Sequence, residues 1–176
     1  RYSEYLVENG IIDDKLSLME KLRFKIRKQY MAKYERNIRS ILAASGLIRP
    51  KSPDVTEIIA HAVPYISPNL TGEAILTIGS SLLEIGLHVC GVIAIGPFGC
   101  MPNRLSESIL TEIMKREDRL AAAPNNKRLS KLLEKLDELP FLAIESDGSP
   151  FPQLIDAKLE TFCLRAERLH ERILMN

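Results

Sequence analysis

The sequence predicts a helix-rich α/β fold, with a small parallel sheet flanked by helices and an N-terminal helical arm. Two short, uninterrupted apolar runs, Val89-Cys90-Gly91-Val92-Ile93-Ala94-Ile95 and Phe141-Leu142-Ala143-Ile144, each enter a Gly- and Pro-containing loop. Such runs read as strands of a parallel sheet covered on both faces. Helical periodicity precedes, separates and follows them, the order expected of an α/β domain. Residues 1–70 are assigned to the arm and residues 71–176 to the α/β domain.

In chain order, the first long element is a helix over residues 19–45. Leu22, Ile26, Tyr30, Tyr34, Ile38, Ile41 and Leu42 recur mostly four apart, and Gly46 ends the run as a C-cap would. The other faces carry Lys21, Arg23, Lys25, Arg27, Lys28, Lys33, Arg36 and Arg39, a solvated or partner-facing surface. Pro50 and Pro53 break the chain, Asp54 caps a short helix over 55–63, and Pro64 to Pro68 form another break. Thr71 and Glu73 introduce a helix over 72–85 that Gly86 terminates, and the first strand follows. A helix from Asn103 to Glu117 places Leu105, Ile109, Leu110, Ile113 and Met114 on one stripe. Residues 118–138, charged and containing Ala-Ala-Ala-Pro-Asn-Asn, read as a surface excursion with a helix over 127–136. After the second strand, a Pro150–Pro152 turn opens a last helix with Leu159, Phe162, Cys163, Ala166, Leu169 and Ile173 facing the core. The whole suits half of a doubly wound sheet of the Rossmann or flavodoxin kind.

Composition narrows the functional classes. The 176 residues are 45% hydrophobic and 27% charged, with a net charge of +1, which gives no global pull towards nucleic acid or an anionic membrane. No apolar run approaches the roughly 18 residues that span a bilayer, and no signal-peptide pattern opens the chain. The chain begins at Arg1 and enters helix-like sequence at once, so it is expected to be a piece of a longer protein. Cys90, Cys100 and Cys163 are too widely spaced for a disulfide framework or a self-contained zinc site, which points to a reducing, cytoplasmic setting.

The stretch Gly96-Pro97-Phe98-Gly99-Cys100-Met101-Pro102-Asn103 carries the chemistry. It sets one thiol between a strand end and a helix start, where unpaired N–H groups and the positive end of the helix dipole favour an anion. From the residues alone, Cys100 can be a metal or cluster ligand, a nucleophile or a plain loop thiol. Cys163 and Cys90 read as core residues, since free cysteine behaves as a small hydrophobe. His61, His88 and His170 stand at no recognisable ligand or catalytic spacing. The loops over 96–102 and 145–152 should leave the sheet together at its carboxyl edge, the usual place for ligands in such sheets.

Three segments resemble a known family: Val-Ile-Ala-Ile-Gly-Pro-Phe-Gly-Cys-Met-Pro (92–102), Leu-Pro-Phe-Leu-Ala-Ile-Glu-Ser-Asp-Gly (139–148) and Phe-Pro-Gln-Leu-Ile-Asp-Ala-Lys-Leu-Glu-Thr-Phe (151–162). In that order they resemble the carboxyl-terminal region of the 2-hydroxyacyl-CoA dehydratase superfamily, in particular the CoA-substrate-specific enzyme activases. Gly72-Glu73-Ala74 is similar to the same family, and the likeness is most specific over 89–165. The resemblance implies a [4Fe–4S] cluster held by cysteines from more than one subdomain. It also implies ATP-driven, low-potential electron transfer for dehydrating a 2-hydroxyacyl-CoA or for a related reduction. Only Cys100 falls on a cluster-ligand motif. Gly96, Pro97, Phe98 and Gly99 would wall the cofactor, joined by Asp147 and Gln153, which match family positions without an assigned chemical role.

One thiolate cannot hold a cubane, so the resemblance implies partners. These are an ATPase module and another cysteine-bearing domain of the same polypeptide, with acyl-CoA as a candidate ligand and neither nucleic acid nor membrane involved. The chain alone is expected to be inactive. It has no Walker A motif, and Ser146-Asp147-Gly148-Ser149 reads as a turn. A plant-type esterase of the Gly-Asp-Ser-Leu class also carries Gly-x-x-Gly-Cys-x-Pro, but its Gly-Asp-Ser and Asp-x-x-His motifs are missing here. A rival assignment is a non-catalytic domain that docks the ATPase module through the basic 19–45 helix, with Cys100 incidental.

Overall fold

The structure is a computed structural model that describes residues 2–11, 17–70, 72–122, 125–146, 148 and 152–175, and, of these, not the side chains of Pro152 and Gln153. Among the described residues there are eight helices and one two-stranded parallel sheet. The chain divides into two compact units, Arg1–Thr56 and Glu57–Asn176, ahead of the 70/71 boundary assigned above.

The first unit holds α1 (Tyr2–Glu8) and α2 (Leu18–Ala43). Helix α2 starts where the Ser17 N–H donates to the Glu20 carboxylate at 2.8 Å, and it is followed by Gly46 at φ 75°. Lys28 Nζ of α2 pairs with Glu4 of α1 at 2.6 Å, and this hydrogen bond draws the Glu4 carboxyl below the ordinary carboxylate range. None of the 26 residues of α2 is buried. Its apolar residues step by four, and each step moves the stripe about 40° round the helix. The stripe therefore winds instead of forming one flat face.

In the second unit, α3 (Val55–Ala62) and α4 (Ala74–Glu84) meet at a glycine. Asp54 accepts the Thr56 N–H at 3.1 Å and so caps α3. A Cβ on Gly79 would lie 2.0 Å from the Ile58 carbonyl oxygen, so hydrogen is the only side chain this crossing admits. Ile59, Ala62, Ile75 and Ile78 are buried beside it. Gly86, at φ 76°, turns the chain out of α4, and its N–H donates to the Val89 carbonyl at 3.0 Å.

The strands are β1 (Val92–Pro97) and β2 (Phe141–Ser146). They run parallel in register from Val92↔Phe141 to Pro97↔Ser146. Between them lie α5 (Met101–Ile113), α6 (Arg116–Ala122) and α7 (Lys127–Leu132), and α8 (Pro152–Met175) follows β2. Helix α5 lies against both strands and α8 against β2. Phe162 of α8 fills the space over Gly91 and Pro140, where a Cβ on Gly91 would stand 2.5 Å from the ring.

Several expectations need correction. The first strand starts at Val92 instead of Val89, because the chain is still turning out of α4 there; Cys90 is therefore half-buried in a bend and not enclosed in a strand. The sheet is not covered on both faces: Ile93 is 40% exposed and Ile95 70%. The helix expected over 103–117 begins at Met101, since Cys100 itself caps it, and ends at Ile113. The Leu139 N–H donates to the Met114 carbonyl and the Arg116 N–H to the Asp137 carbonyl, each at 2.8 Å. Those bonds draw the backbone out of one helix and start another. Residues 118–138 are no mere surface excursion either, because Leu129, Leu132 and Leu133 join the core. Cys163 is exposed. Its neighbours Phe162 and Ala166 turn inward and Leu169 is fully buried, so Cys163 falls just beyond the narrow stripe that α8 presents to the rest of the unit.

The α3–α4 crossing generates a stability prediction. Gly79→Ala pushes a methyl group into the Ile58 backbone and should cost about 3 kcal/mol, the upper end of the usual range for overpacking. Urea unfolding should show it, whereas Gly99→Ala, with no atom within 4 Å of its Cβ position, should lose only about 1 kcal/mol through its left-handed backbone. Equal losses would contradict the crossing.

Candidate functional site

The loop that carries Cys100 is built by ordinary turn chemistry. The Cys100 N–H donates to the Pro97 carbonyl at 3.1 Å, closing a turn around Phe98 and Gly99. Gly99 sits at φ 73°, the position where such a turn favours glycine. Cys100 then becomes the N-cap of α5 at φ −68° and ψ 110°, and its carbonyl accepts the Arg104 N–H at 2.9 Å. Pro102 fits the first turn, where its missing N–H costs nothing. The Cys100 thiol makes no capping hydrogen bond, and the residue is partly exposed, between Phe98 and Met101, which are 73% and 75% exposed.

Behind this rim the loop is anchored tightly. Gly96 lies against Asn103, whose Cγ would be 2.5 Å from an added Cβ, and Asn103 Nδ2 is buried with no hydrogen-bond partner among the described residues. Arg104 Nε approaches Glu145 Oε1 to 2.5 Å, an ion-pair contact without the alignment of a hydrogen bond, which ties the first turn of α5 to the end of β2. The Phe98 N–H donates to the Ser146 carbonyl at 3.1 Å, so the two strands end side by side.

Of the residues singled out above, Gly96, Pro97, Phe98, Gly99 and Cys100 share this one edge. Asp147 lies outside the described residues. Gln153 is in the first turn of α8 by its backbone, and its side chain is likewise outside the described set. The fit to an iron–sulfur cluster fails for this chain by itself. Among the described residues no group of three or more His, Cys, Asp or Glu could hold a metal ion, and a cubane needs several thiolates. No reaction step is therefore drawn through a cluster.

Two arrangements escaped the sequence. Cys90 Sγ lies 3.4 Å from His170 Nδ1, across 80 positions. Burial pushes the Cys90 thiol up, which disfavours its thiolate form. The pair ties the bend before β1 to α8. The second arrangement is a cavity of about 310 Å³ lined by His61, Tyr65, Leu82, Arg119, Arg128 and Leu132, among others. Arg119 Nη2 donates to the Leu82 carbonyl near the end of α4 at 2.9 Å. Burial lowers the pKa of the guanidinium, and Tyr65 opposes that shift. Neither is visible in local spacing, because each depends on how distant helices pack.

No family model matches the chain, and neither a curated protein nor a solved structure matches significantly. No helix of the described residues is long and apolar enough to cross a membrane.

The three thiols should differ in reactivity. Timed alkylation read by mass spectrometry should modify Cys163 and Cys100 before Cys90. Because burial pushes the Cys90 thiol up, its thiolate fraction at neutral pH is reduced, and its rate should keep rising further into the alkaline range than that of an ordinary thiol. Fast, early labelling of Cys90 would contradict the bend and its imidazole partner.

Proposed function

We propose that residues 57–176 form one wall of an iron–sulfur site shared with neighbouring polypeptide, in a cytoplasmic protein of the 2-hydroxyacyl-CoA dehydratase and activase kind. Cys100 gives one thiolate ligand, and Phe98 and Met101 are the apolar rim against which the rest of the site closes. The observation that supports this most directly is the partly exposed Cys100 at the mouth of α5, set by a hydrogen-bonded turn and flanked by two large exposed apolar side chains. An apolar collar around a thiol excludes water and lowers the local dielectric, which are levers on the potential of a cluster. When bound, the cluster would supply low-potential electrons for removing water from a 2-hydroxyacyl-CoA or for a related reduction. The part played by this chain is positional: the Gly99 turn aims the thiol, and Arg104 with Glu145 holds the helix that follows it.

The winding apolar stripe of α2 favours a second reading, in which the chain docks the ATPase module and Cys100 is incidental. Ile26, Tyr30 and Ile38 are 60%, 59% and 56% exposed, amid basic residues. Of the candidate docking cations, Lys28 already pairs with Glu4, which leaves Arg23 and Arg27 as the pair to reverse.

The test uses the longer protein, purified without oxygen. Cys100→Ser should lose most of its iron and its visible charge-transfer absorbance, while Cys163→Ser keeps both. A Cys100→Ser protein with its full complement of iron would defeat the ligand reading. If Arg23→Glu with Arg27→Glu left binding to the ATPase module unchanged, the docking reading would fail instead.

A further inference from the structure

The outer edge of β1 is chemically unfinished. The N–H groups of Val92 and Phe98 donate across to Pro140 and Ser146 of the β2 segment at 3.0 and 3.1 Å. Alternate residues of a strand send their backbone groups to opposite edges. Ile93 and Ile95 therefore direct theirs away from β2, to a side where, among the described residues, the sheet has no further strand.

Natural edge strands are protected by charges, bulges, central prolines or a covering element. Residues 89–99 contain no charged residue, and their one proline, Pro97, stands at the very end of the strand. Ile93 and Ile95 are also exposed, Ile95 more than Ile93, on the face opposite Ala94, which is 7% exposed. An edge that combines free backbone groups, exposed β-branched side chains and no charge is a template for another strand.

We infer that this edge pairs with the same edge of a second copy, antiparallel and centred on Ala94, to give a continuous four-stranded sheet. The match is self-complementary. Pairing Ile93 with Ile95 of the other copy, and the reverse, uses the N–H and C=O of both isoleucines and asks no donor of Pro97. On one face the four isoleucines become cross-strand neighbours, the kind of β-branched pair that stabilises sheets. On the other face the two Ala94 residues meet where the strands come closest, a place suited to a small side chain. A net charge of +1 per copy offers little repulsion. The inference is independent of any role for Cys100.

The experiment uses the full chain with Cys90, Cys100 and Cys163 replaced by serine. Light scattering should show a dimer that Ile95→Lys converts to a monomer. Ile93→Cys and Ile95→Cys proteins are then oxidised separately and as a mixture. Residues directly opposite in a hydrogen-bonded pair have Cα atoms about 5.5 Å apart, within disulfide reach. Diagonal neighbours at about 7–8 Å are not. The mixture should therefore cross-link and neither variant alone should. A parent chain that stays monomeric from micromolar to millimolar concentration overturns the inference, as does a dimer untouched by Ile95→Lys. Equal cross-linking in all three samples also overturns it, since that denotes another register or another interface.

Discussion

The parallel ladder between β1 and β2 is the constraint on which the second unit depends. Its register, Val92↔Phe141 through Pro97↔Ser146, determines which residues end together at the carboxyl edge. From that edge the Phe98–Ser146 bond and the turn closed by Pro97 and Cys100 follow as geometric consequences. A slip of one residue would turn Gly96 away from Asn103 and part Glu145 from Arg104, because side chains alternate faces along a strand. Burial on the helical side, with Ala94, Leu110 and Leu139 almost wholly enclosed, disfavours such a slip. The thiol of Cys100 owes its exposure to this ladder more than to its own loop.

The parts legible in sequence were those governed by local chemistry. The two apolar runs lacked alternation and were read as parallel strands, which they are. Gly86 and Gly46 marked helix ends and both adopt positive φ. The four-residue recurrence from Leu22 to Leu42 gave α2 nearly to its ends. Cys100 was read as lying just before a helix, and it caps one. These signals need no knowledge of what packs where.

The parts that were not legible are tertiary. The α5–α6 break follows from Leu139 and Arg116 bonding across to segments more than 20 positions away; nothing between Met114 and Arg116 is itself a helix breaker. Cys163 follows the helical period of its apolar neighbours yet lies outside a stripe narrower than the period suggests. Full cover of the sheet was inferred from the unbroken hydrophobicity of residues 89–95, but two strands packed on α5 and α8 leave Ile95 in water. That hydrophobicity and that exposure together make β1 the least self-sufficient element of the unit. On α2 the same tension recurs, since the helix is regular, well started and apolar along a winding ridge, yet nowhere buried. Ridges of this four-residue kind are the ones that interlock when helices cross at about −50°.

Residue-resolved amide exchange tests the ladder most directly. The amides that face β2, those of Val92, Ala94, Gly96 and Phe98, should be protected nearly as strongly as the buried helices α4 and α5. Protection of these four no greater than that of the exposed turn at Gly99, or no slowing at Phe98, would mean that β2 does not hold β1 in this register. The placement of Cys100 would then have no physical basis.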